Sequence, residues 1–542
     1  MKKVLAFLLA LCLVLAACSA MAEVTYPIET STTLTLWRVL DGSIVDGGYT
    51  TSMDTPGFKA WCEKTGIAVE LKEFADGTSL VLALNGATTL PDMIMFNAGA
   101  YYNGGVAGLI ADDVVQEIDP AMLEQYAPDY WTYINKPIYM TEIKQLDGKM
   151  YYMAGHIFEE NSPYRYWRGL FYREDILKAI GREVAQTIDA MVLGLREDML
   201  EATGKEIPKT IDEFYDTLVA MKEYGVETPF VFQGKTDLRE CIKNGELTSA
   251  FGLVSASEYQ TDGKWHYGAC EPEYKDVLAF LKKLYDEGLI SVDYLSMEEA
   301  TSRAMFCNGN ASVMYGNISR LNTYRASLPE GASMVGGYVI HAVDQDHAMF
   351  SFADPMTTSD DITYISADSK NVELCMQFYN YLFTEEGNML RNYGILGESY
   401  VIGENGKPEY TELITNNPDG HSMDGMARSY GLINWPGIHN NSQLTCAIQS
   451  QGVAYERWSD TDHDTHVVVH TAVLDEYLDE YTDLWTDIDL YINECRAKFI
   501  SGEMSIENDF DTYLETLKSM NIDRVYEIKQ ITLDAHNAAL AE

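Results

Sequence analysis

The segment "LALNGATTLPDMIMFNAGAYYNGG", residues 82–105, contains the pattern on which the fold prediction depends. Pro91 and Asp92 turn the chain out of a small-residue helical stretch, and residues 93–96 then form a short unbroken apolar run. Such a run is typical of a parallel strand that is buried on both faces. The chain leaves this predicted strand at Asn97 and enters a loop rich in glycine and tyrosine, without a nucleophile or a metal-binding pattern.

The residues before this segment alternate between strand and helix patterns. Strands are predicted at 34–40 ("LTLWRVL") and 67–74 ("IAVELKEF"), and helices at 54–66 ("DTPGFKAWCEKTG") and about 78–86. This β-α-β-α-β order is the opening of an open α/β sheet. Ligands of such sheets bind outside the carboxyl ends of the parallel strands. The first candidate ligand-binding residues therefore follow from these strand ends: Trp37, Arg38, Asp76, Asn97, Tyr101 and Tyr102.

The bulk composition excludes some partners. The chain has 542 residues, and its 83 acidic and 38 basic residues give a formal net charge of −45. A nucleic-acid partner is not expected, because phosphate binding needs a basic face. The length exceeds what one hydrophobic core supports, so two or three lobes are expected.

The N-terminus has the layout of an export signal. Lys2 and Lys3 precede an apolar run and then small residues in "MKKVLAFLLALCLVLAACSAMAE", which is too short and wrongly flanked for a membrane-spanning helix. "LAAC" ending at Cys18 resembles a lipobox, which would make Cys18 the lipidated N-terminus. "AMA" at 20–22 resembles an ordinary cleavage site, which would release the chain from Glu23. Both outcomes remain open, and in either case residues 1–22 are the predicted export segment.

The cysteine spacing indicates neither a full disulfide framework nor a zinc ribbon. Seven cysteines remain after the export segment and Cys18 are set aside, and no CxxC spacing occurs among them. Buried free thiols are expected.

Amphipathic helices are predicted further along the chain, at 208–225, 272–288 and 367–387, and densely over 470–542. The first of these has a capping-box pattern formed by Thr210 and Glu213. No internal repeat is visible.

Several segments in this order resemble the family 1 extracellular solute-binding proteins of bacterial ABC importers, in particular their larger, carbohydrate-associated branch. The matching segments are "TLTLWRVL", "LALNGATTLPDMI", "LDGKMYYMAG" (146–155), "YREDILKAIG", "GKEIPKTIDEFYDTL", "FLKKLYDEGLISVDYLSME", "FCNGNASVMYG" (306–316), "YGILGESYVIGENGKPEYT" (393–411) and the C-terminal residues 498–530. Each is weak alone, and the ordered set is specific.

The resemblance implies an α/β fold of the two-lobed, periplasmic-binding-protein-like (type II) class, with discontinuous lobes and a helix-rich C-terminal region. Lobe 1 is expected at 24–155 plus about 330–400, and lobe 2 at 156–329 plus about 401–542. The 182–203 stretch is an addition not expected in shorter relatives. Some relatives have a calcium loop after the 210–224 helix, but this chain reads "KEYGVETPFVF" there, so no metal and no cofactor are predicted.

Sugar sites combine aromatic platforms with planar polar side chains. By position in the sequence, further candidates for such contacts are Trp167 and Arg168 near the expected lobe crossover, Tyr315 and Asn317 at a strand end, and Tyr430, Asn434 and Trp435 in a loop. Trp265 is expected on a surface hairpin. "WSDTDHDTHVVVH" (458–470) mimics a calcium loop and a zinc pair, but Thr465 replaces the glycine and Thr471 the glutamate that calcium requires. A solvated acidic loop is expected instead.

The sequence therefore predicts a non-enzymatic substrate-binding component of an ABC importer that captures an oligosaccharide between two lobes and delivers it to the membrane permease. A monomer on the outer face of the cytoplasmic membrane, or secreted, is expected. The alternatives are an exported carbohydrate-active enzyme, a binder of peptides or other solutes, and a sensor-associated binding protein. No hydrolase, nucleotide or Cys-His motif favours the enzyme.

Overall fold

The structure is a computed structural model of the 542-residue chain. It describes residues 24–145, 147–160, 162–182, 207–234, 237–318, 324, 327–350, 355–357, 361–404, 406–440, 454–455, 457–468 and 473–541. The predicted export segment with Cys18, the 183–203 part of the additional stretch, Cys446 and His470 lie outside the described residues.

The described strands are β1 (Thr33–Val39), β2 (Ala68–Phe74), β3 (Met93–Met95), β4 (His156–Phe158), β5 (Arg168–Arg173), β6 (Phe230–Phe232), β7 (Glu258–Thr261), β8 (Lys264–Tyr267), β9 (Val313–Asn317), β10 (Met334–Gly336), β11 (Thr363–Ile365), β12 (Tyr400–Ile402), β13 (Pro408–Tyr410) and β14 (Gly437–His439). The described α-helices are α1 (Pro56–Thr65), α2 (Gly77–Gly86), α3 (Ala98–Tyr101), α4 (Gly105–Ala111), α5 (Pro120–Tyr126), α6 (Pro128–Ile134), α7 (Pro137–Ile143), α8 (Glu174–Ala179), α9 (Ile211–Tyr224), α10 (Asp237–Asn244), α11 (Tyr274–Asp286), α12 (Glu299–Asn308), α13 (Val372–Asn380), α14 (Glu385–Tyr393), α15 (Glu412–Thr415), α16 (Met423–Tyr430), α17 (Asp475–Ser501), α18 (Ile506–Ser519) and α19 (Ile522–Ala541).

The chain divides into two compact units, each assembled from two separate stretches. Unit 1 comprises Met1–Glu160 and Pro355–Cys446, and unit 2 comprises Asn161–Asp354 and Ala447–Glu542. This division differs from the predicted lobes, which placed 330–354 in lobe 1 and 401–446 in lobe 2. Strand pairing explains the difference, because β10 pairs with β5 in unit 2 and β14 pairs with β4 in unit 1.

The sheet of unit 1 has the strand order β11-β3-β1-β2. β1 is parallel to β2 and β3, whereas β11 is antiparallel to β3. The predicted β-α-β-α-β opening is confirmed. Helix α1 begins after Thr55, whose side chain accepts from the Phe58 amide, and ends at Gly66 in the left-handed conformation that glycine tolerates.

The Asp92 carboxylate holds the start of β3 against β1. It accepts hydrogen bonds from the Thr35 amide and hydroxyl, both at 2.9 Å, from the Ser369 hydroxyl at 2.8 Å and from the Asn371 amide group at 2.9 Å. Burial alone would raise the pKa of Asp92, but these hydrogen bonds lower it overall. The Leu-Pro-Asp turn therefore anchors the buried strand in the sheet.

The sheet of unit 2 has the order β10-β5-β9-β6. β6 and β9 are parallel, and β5 is antiparallel to both β9 and β10. Helix α9 begins with the predicted capping box of Thr210 and Glu213, which is confirmed. The C-terminal residues 475–541 are helical as predicted, and these helices contribute to the unit 2 core through residues such as Ile488 and Val525.

The predicted hairpin that carries Trp265 is present as β7–β8, but the expectation that Trp265 is on the surface is wrong. Its side chain is buried against α19, with its ring 4.9 Å from that of Tyr526. The expectation of free thiols is confirmed for the six described cysteines. Within the described ranges, every helix falls short of the length and apolarity that spanning a bilayer requires.

Candidate ligand-binding site

The carboxyl ends of β1, β2 and β3 lie at one edge of the unit 1 sheet, where the antiparallel β11 begins. We call this the unit 1 edge; it comprises Arg38, Asp361 before β11, and the buried His156, Arg391, Asn434 and Trp435 that contact them. Asn97 follows β3 at the same end.

Arg38 is the central cation of the unit 1 edge, and its side chain is almost fully buried. Its Nη2 lies 3.4 Å from Asp361 Oδ1 and donates to the Asn434 carbonyl at 3.2 Å. The guanidinium carbon lies 3.9 Å from the centre of the Trp435 ring, a cation–π distance. The Trp435 ring also stacks on the Phe58 ring, with the ring centres 5.0 Å apart. Trp435 therefore contacts an apolar ring as well as the Arg38 guanidinium.

His156 connects Asp361 to a second arginine. Its Nε2 lies 3.1 Å from Asp361 Oδ2, and its Nδ1 lies 2.6 Å from Arg391 Nη2. A guanidinium can only donate, so Nδ1 accepts and the proton of the ring is on Nε2, which donates to Asp361. The ring of His439 stacks on His156 at 5.0 Å.

The pKa values of two groups in this cluster follow from their neighbours. Burial raises the pKa of Asp361, but the hydrogen bond to His156 and the positive charge of Arg38 outweigh it and lower the pKa below its usual value. Burial, the charge of Arg391 and the His156 ring lower the pKa of His439 well below its usual value. His439 is therefore neutral at neutral pH. Arg38 contacts the Asp361 carboxylate directly, whereas Arg391 is connected to it through His156.

Four predicted residues around β2 and β3 have identifiable local contacts. Asp76 and Asn97 cap α2 and α3, accepting from Ser79 N at 2.7 Å and Ala100 N at 3.1 Å. The Tyr101 ring is 47% exposed and covers Gly77, where any side chain would collide with it. Tyr102 is buried, and its hydroxyl donates to Asp112 at 2.9 Å. Ligand contact by these residues remains a prediction.

Three other predicted residues of unit 1 have mixed environments. Trp37 is half-buried, and Lys72 Nζ lies 4.2 Å from its ring centre. Tyr430 is half-buried against the small cluster of Ile414 and Met426. Asn434 is buried, and within the described part of the chain neither polar atom of its side chain has a hydrogen-bond partner.

The unit 2 edge is formed where β6 and β9 end and the antiparallel β5 begins; it comprises Trp167, Arg168, Gln233 and Asn317. Arg168 pairs with Asn317 in the β5–β9 register. The guanidinium carbon of Arg168 lies 4.7 Å from the centre of the Trp167 ring. All four side chains are half-buried, so each also reaches the surface.

Gln233 fixes the end of β9. Its side-chain Oε1 accepts a hydrogen bond from the backbone N–H of Asn317 at 2.7 Å, and its backbone N–H donates to the Tyr315 carbonyl at 3.0 Å. The carboxamide oxygen is thus committed to the backbone, and the NH₂ group of Gln233 supplies donors at this edge. The arrangement combines an aromatic ring, a guanidinium and two amides.

Tyr315 is in the core rather than at the strand end. β9 continues to Asn317, and its alternation directs Tyr315 inward, where its hydroxyl accepts from Asn244 Nδ2 at 2.7 Å. On the neighbouring strand β5, Gly169 leaves room for the Trp458 indole, which would lie 2.2 Å from any Cβ at that position.

Sequence reasoning missed His156, Asp361, Arg391, His439 and Gln233. Gln233 follows the apolar run "PFVF", so the strand-end rule that selected Asn97 also applies to it. His156 directly follows the family-like "LDGKMYYMAG", which was a usable signal. Asp361 lies just before β11, which is antiparallel to β3. The sequence prediction considered only residues that follow parallel strands, so it did not select a residue that precedes an antiparallel one.

The acidic loop at 458–466 is more ordered than predicted. His463 and His466 are buried, and Asp462 accepts from the Phe350 amide at 3.1 Å and lies 3.3 Å from His466 Nε2. The solvated-loop expectation is therefore wrong for these histidines, which pack inside unit 2. Among the described residues, no group of three or more His, Cys, Asp or Glu side chains could hold a metal ion.

Comparison with known proteins identifies the family of this chain. The sequence profile of the family described as bacterial extracellular solute-binding protein matches residues 47–389. The chain belongs to this family. A curated relative, lipoprotein LipO of Bacillus subtilis (strain 168), is 24% identical over 370 residues, which are 64% of this chain. The match spans 65% of the length of that relative.

Solved structures share the fold at low sequence identity. An HMO-binding, ABC-transporter-associated solute-binding protein of Bifidobacterium longum infantis ATCC 15697 has a TM-score of 0.68 at 15% identity, and the match covers 94% of this chain and 99% of that protein. The substrate-binding protein FusA of S. pneumoniae, in complex with kestose, has a TM-score of 0.65 at 17% identity, and covers 94% and 100%. The alginate-binding protein AlgQ2 has a TM-score of 0.64 at 17% identity, with the same coverage. The predicted α/β solute-binding-protein fold is confirmed, and the family consists of binding proteins rather than enzymes.

Proposed function

We propose that this solute-binding protein is the substrate-binding component of a bacterial ABC importer that captures an oligosaccharide or a polysaccharide-derived sugar. The sugar is held by hinge closure of the two lobes, and the closed population is then recognised by the permease. The mature protein works outside the cytoplasmic membrane, either lipid-anchored at Cys18 or released after Ala22, as a monomer.

The unit 2 edge is the observation that carries the sugar assignment. Sugar rings present flat apolar faces and rims of hydroxyl groups, which suit aromatic platforms with planar polar side chains. Trp167 supplies the platform, and Arg168, Gln233 and Asn317 supply the planar groups within one strand end. Family membership and the sugars bound by the structural neighbours, alginate for AlgQ2 and kestose for FusA, support the same assignment.

A thermal-unfolding screen against an oligosaccharide library tests the proposal. A bound glycan at a hundred times its dissociation constant should raise the free energy of unfolding by about 2.7 kcal/mol. Trp167→Ala and Gln233→Ala should each weaken that binding by about tenfold or more, since each loses a ring face or a fixed donor. Gln260→Ala, on the β7–β8 hairpin, is the matched control and should bind as the wild type does.

Three outcomes would contradict the proposal in different ways. Stabilisation by peptides but by no glycan would refute the sugar assignment. Turnover of a glycan by the purified protein would identify an exported enzyme. Glycan binding that is unchanged in both edge variants would place the site elsewhere.

A further inference from the structure

A pocket lies in unit 2, away from the unit 2 edge. It has a volume of about 270 Å³ and is formed by α10, the loop after α11 and helix α17. Its lining includes Leu238, Arg239, Tyr294, Leu295, Asn493 and Arg496. The volume is at the lower limit of small-molecule sites, so it suits an ion or a small organic molecule rather than an oligosaccharide.

Arg496 is a cation in this pocket without an acidic partner. The residue is only 8% exposed, and its Nη2 donates to the Asn493 side-chain oxygen. In the described part of the chain, its guanidinium forms no ion pair with a carboxylate. A buried charge is costly unless it is paired, so the position favours an anion that comes from outside the chain.

The side chains around Arg496 do not neutralise it. Burial raises the pKa of Tyr294 to about 12, although the charge of Arg496 lowers it in part, and burial likewise raises the pKa of Tyr274. Both phenols are therefore neutral at physiological pH. Asn493 donates to the Asp489 carboxylate at 2.8 Å, so an amide separates that acid from Arg496.

Arg239 brings a second guanidinium to the pocket. It is 40% exposed and lies 3.1 Å from Glu240, the adjacent residue. Leu238 and the exposed Leu295 provide apolar walls beside the two arginines. Two guanidinium groups on one pocket are the geometry that carboxylates and phosphates prefer, because each group offers paired N–H donors.

We propose that this pocket binds a small oxyanion, a carboxylate or a phosphate, between Arg496 and Arg239. Arg496 provides the desolvated charge, Arg239 closes the open side, and Leu295 contacts the apolar part of an organic anion. The site is independent of the sugar assignment, since no residue of the unit 2 edge lines it.

Thermal unfolding with sodium sulfate, sodium phosphate and sodium citrate, each against sodium chloride at equal ionic strength, tests the site. At least one oxyanion should raise Tm by about 3 °C or more at ten times its dissociation constant. Phosphate and sulfate acting alone would identify an inorganic ligand, and citrate acting best would identify a carboxylate; both results support the site. Arg239 is half-exposed, so the Arg239→Ala variant should fold normally. The variant should bind the anion about tenfold more weakly.

The matched control is Arg303→Ala, which removes an arginine of α12 that does not line the pocket, and it should keep the full anion effect. Arg496→Gln should abolish the effect. Equal stabilisation of wild type and Arg239→Ala by every oxyanion, or an equal effect of chloride, would overturn the proposal.

Discussion

Glu246 should make the stability of unit 2 depend on pH. It follows α10 and is fully buried in unit 2, and within the described residues no ion pair or well-aligned hydrogen bond satisfies its carboxyl oxygens. The nearby backbone of Leu170 offsets the effect of burial only in part. Its backbone is tied to the unit by the Cys241 carbonyl at 3.0 Å and the Ile340 amide at 3.1 Å. Burial therefore raises the pKa of Glu246 well above its ordinary value of 4.5, and the folded protein holds it as the neutral acid.

The sign of the pH effect follows from proton counting. Above about pH 4.5 the unfolded chain has lost this proton while the folded chain retains it, so the free energy of unfolding falls as the pH rises. Each pH unit in that window is worth about 1.4 kcal/mol. Between about pH 5.5 and pH 7.5 the wild type should therefore lose stability through Glu246, by at most about 2.7 kcal/mol, the value for a proton that is held across the whole window.

Glu246→Gln keeps the shape of the side chain and removes the titration. The stability of unit 2 at both pH values is measured by denaturant unfolding, monitored through the hydrogen exchange of peptides from β5 and β9. Relative to wild type, the free energy of unfolding of the variant should rise between the two pH values, by up to about 2.7 kcal/mol, whereas Glu223→Gln on the exposed face of α9 should show no such rise. If the difference in free energy of unfolding between Glu246→Gln and wild type does not change with pH, the conclusion that buried Glu246 is neutral is refuted.

Two further predictions concern unit 1. The lowered pKa of His439 means that the unfolded chain gains a proton below about pH 6.5 while the folded chain does not. Acidification from about pH 7.5 to pH 5.5 should therefore lower the free energy of unfolding of unit 1, by up to about 1.4 kcal/mol. His439→Gln should remove that cost in denaturant unfolding followed by exchange of β4 peptides, and an unchanged acid sensitivity would contradict it. Asp92→Ala should lower the free energy of unfolding of unit 1 by about 3–5 kcal/mol, because it leaves four donors without their acceptor. Exposed Asp54→Ala is the control, and a loss below about 1 kcal/mol for Asp92→Ala would contradict the anchoring role.

The local patterns of the sequence predicted the first sheet well. Thr55, Pro56 and Gly66 delimit a helix through backbone chemistry that acts within a few residues, and the alternation of β2 is a property of the strand itself. Such signals do not depend on the rest of the fold, and for this reason the elements from β1 to β3 were predicted close to their observed bounds.

The candidate site was less predictable because its contacts join distant residues. Arg38 was selected as a strand-end residue, but its partners Asp361 and Asn434 lie more than 300 residues further along the chain. Tyr315 was placed at a strand end, but β9 continues for two more residues to Asn317, so Tyr315 lies inside the sheet and is buried in the core. Trp265 was predicted as exposed because nothing in the hairpin itself indicates that α19 covers it.

The discontinuous path of unit 1 has a consequence for the order in which the protein is made. β3 pairs with β11, and β4 pairs with β14. In the sequence, the first stretch of unit 2, Asn161–Asp354, separates the two strands of each pair. During synthesis, the N-terminal strands have no neighbouring strand on these sides until residues 363–365 and 437–439 have emerged. Contacts at such long sequence separation form slowly, so the early chain remains without its complete sheet during most of translation. The chain belongs to an extracellular family, and a chain whose sheet is unfinished is one that can still be threaded across a membrane.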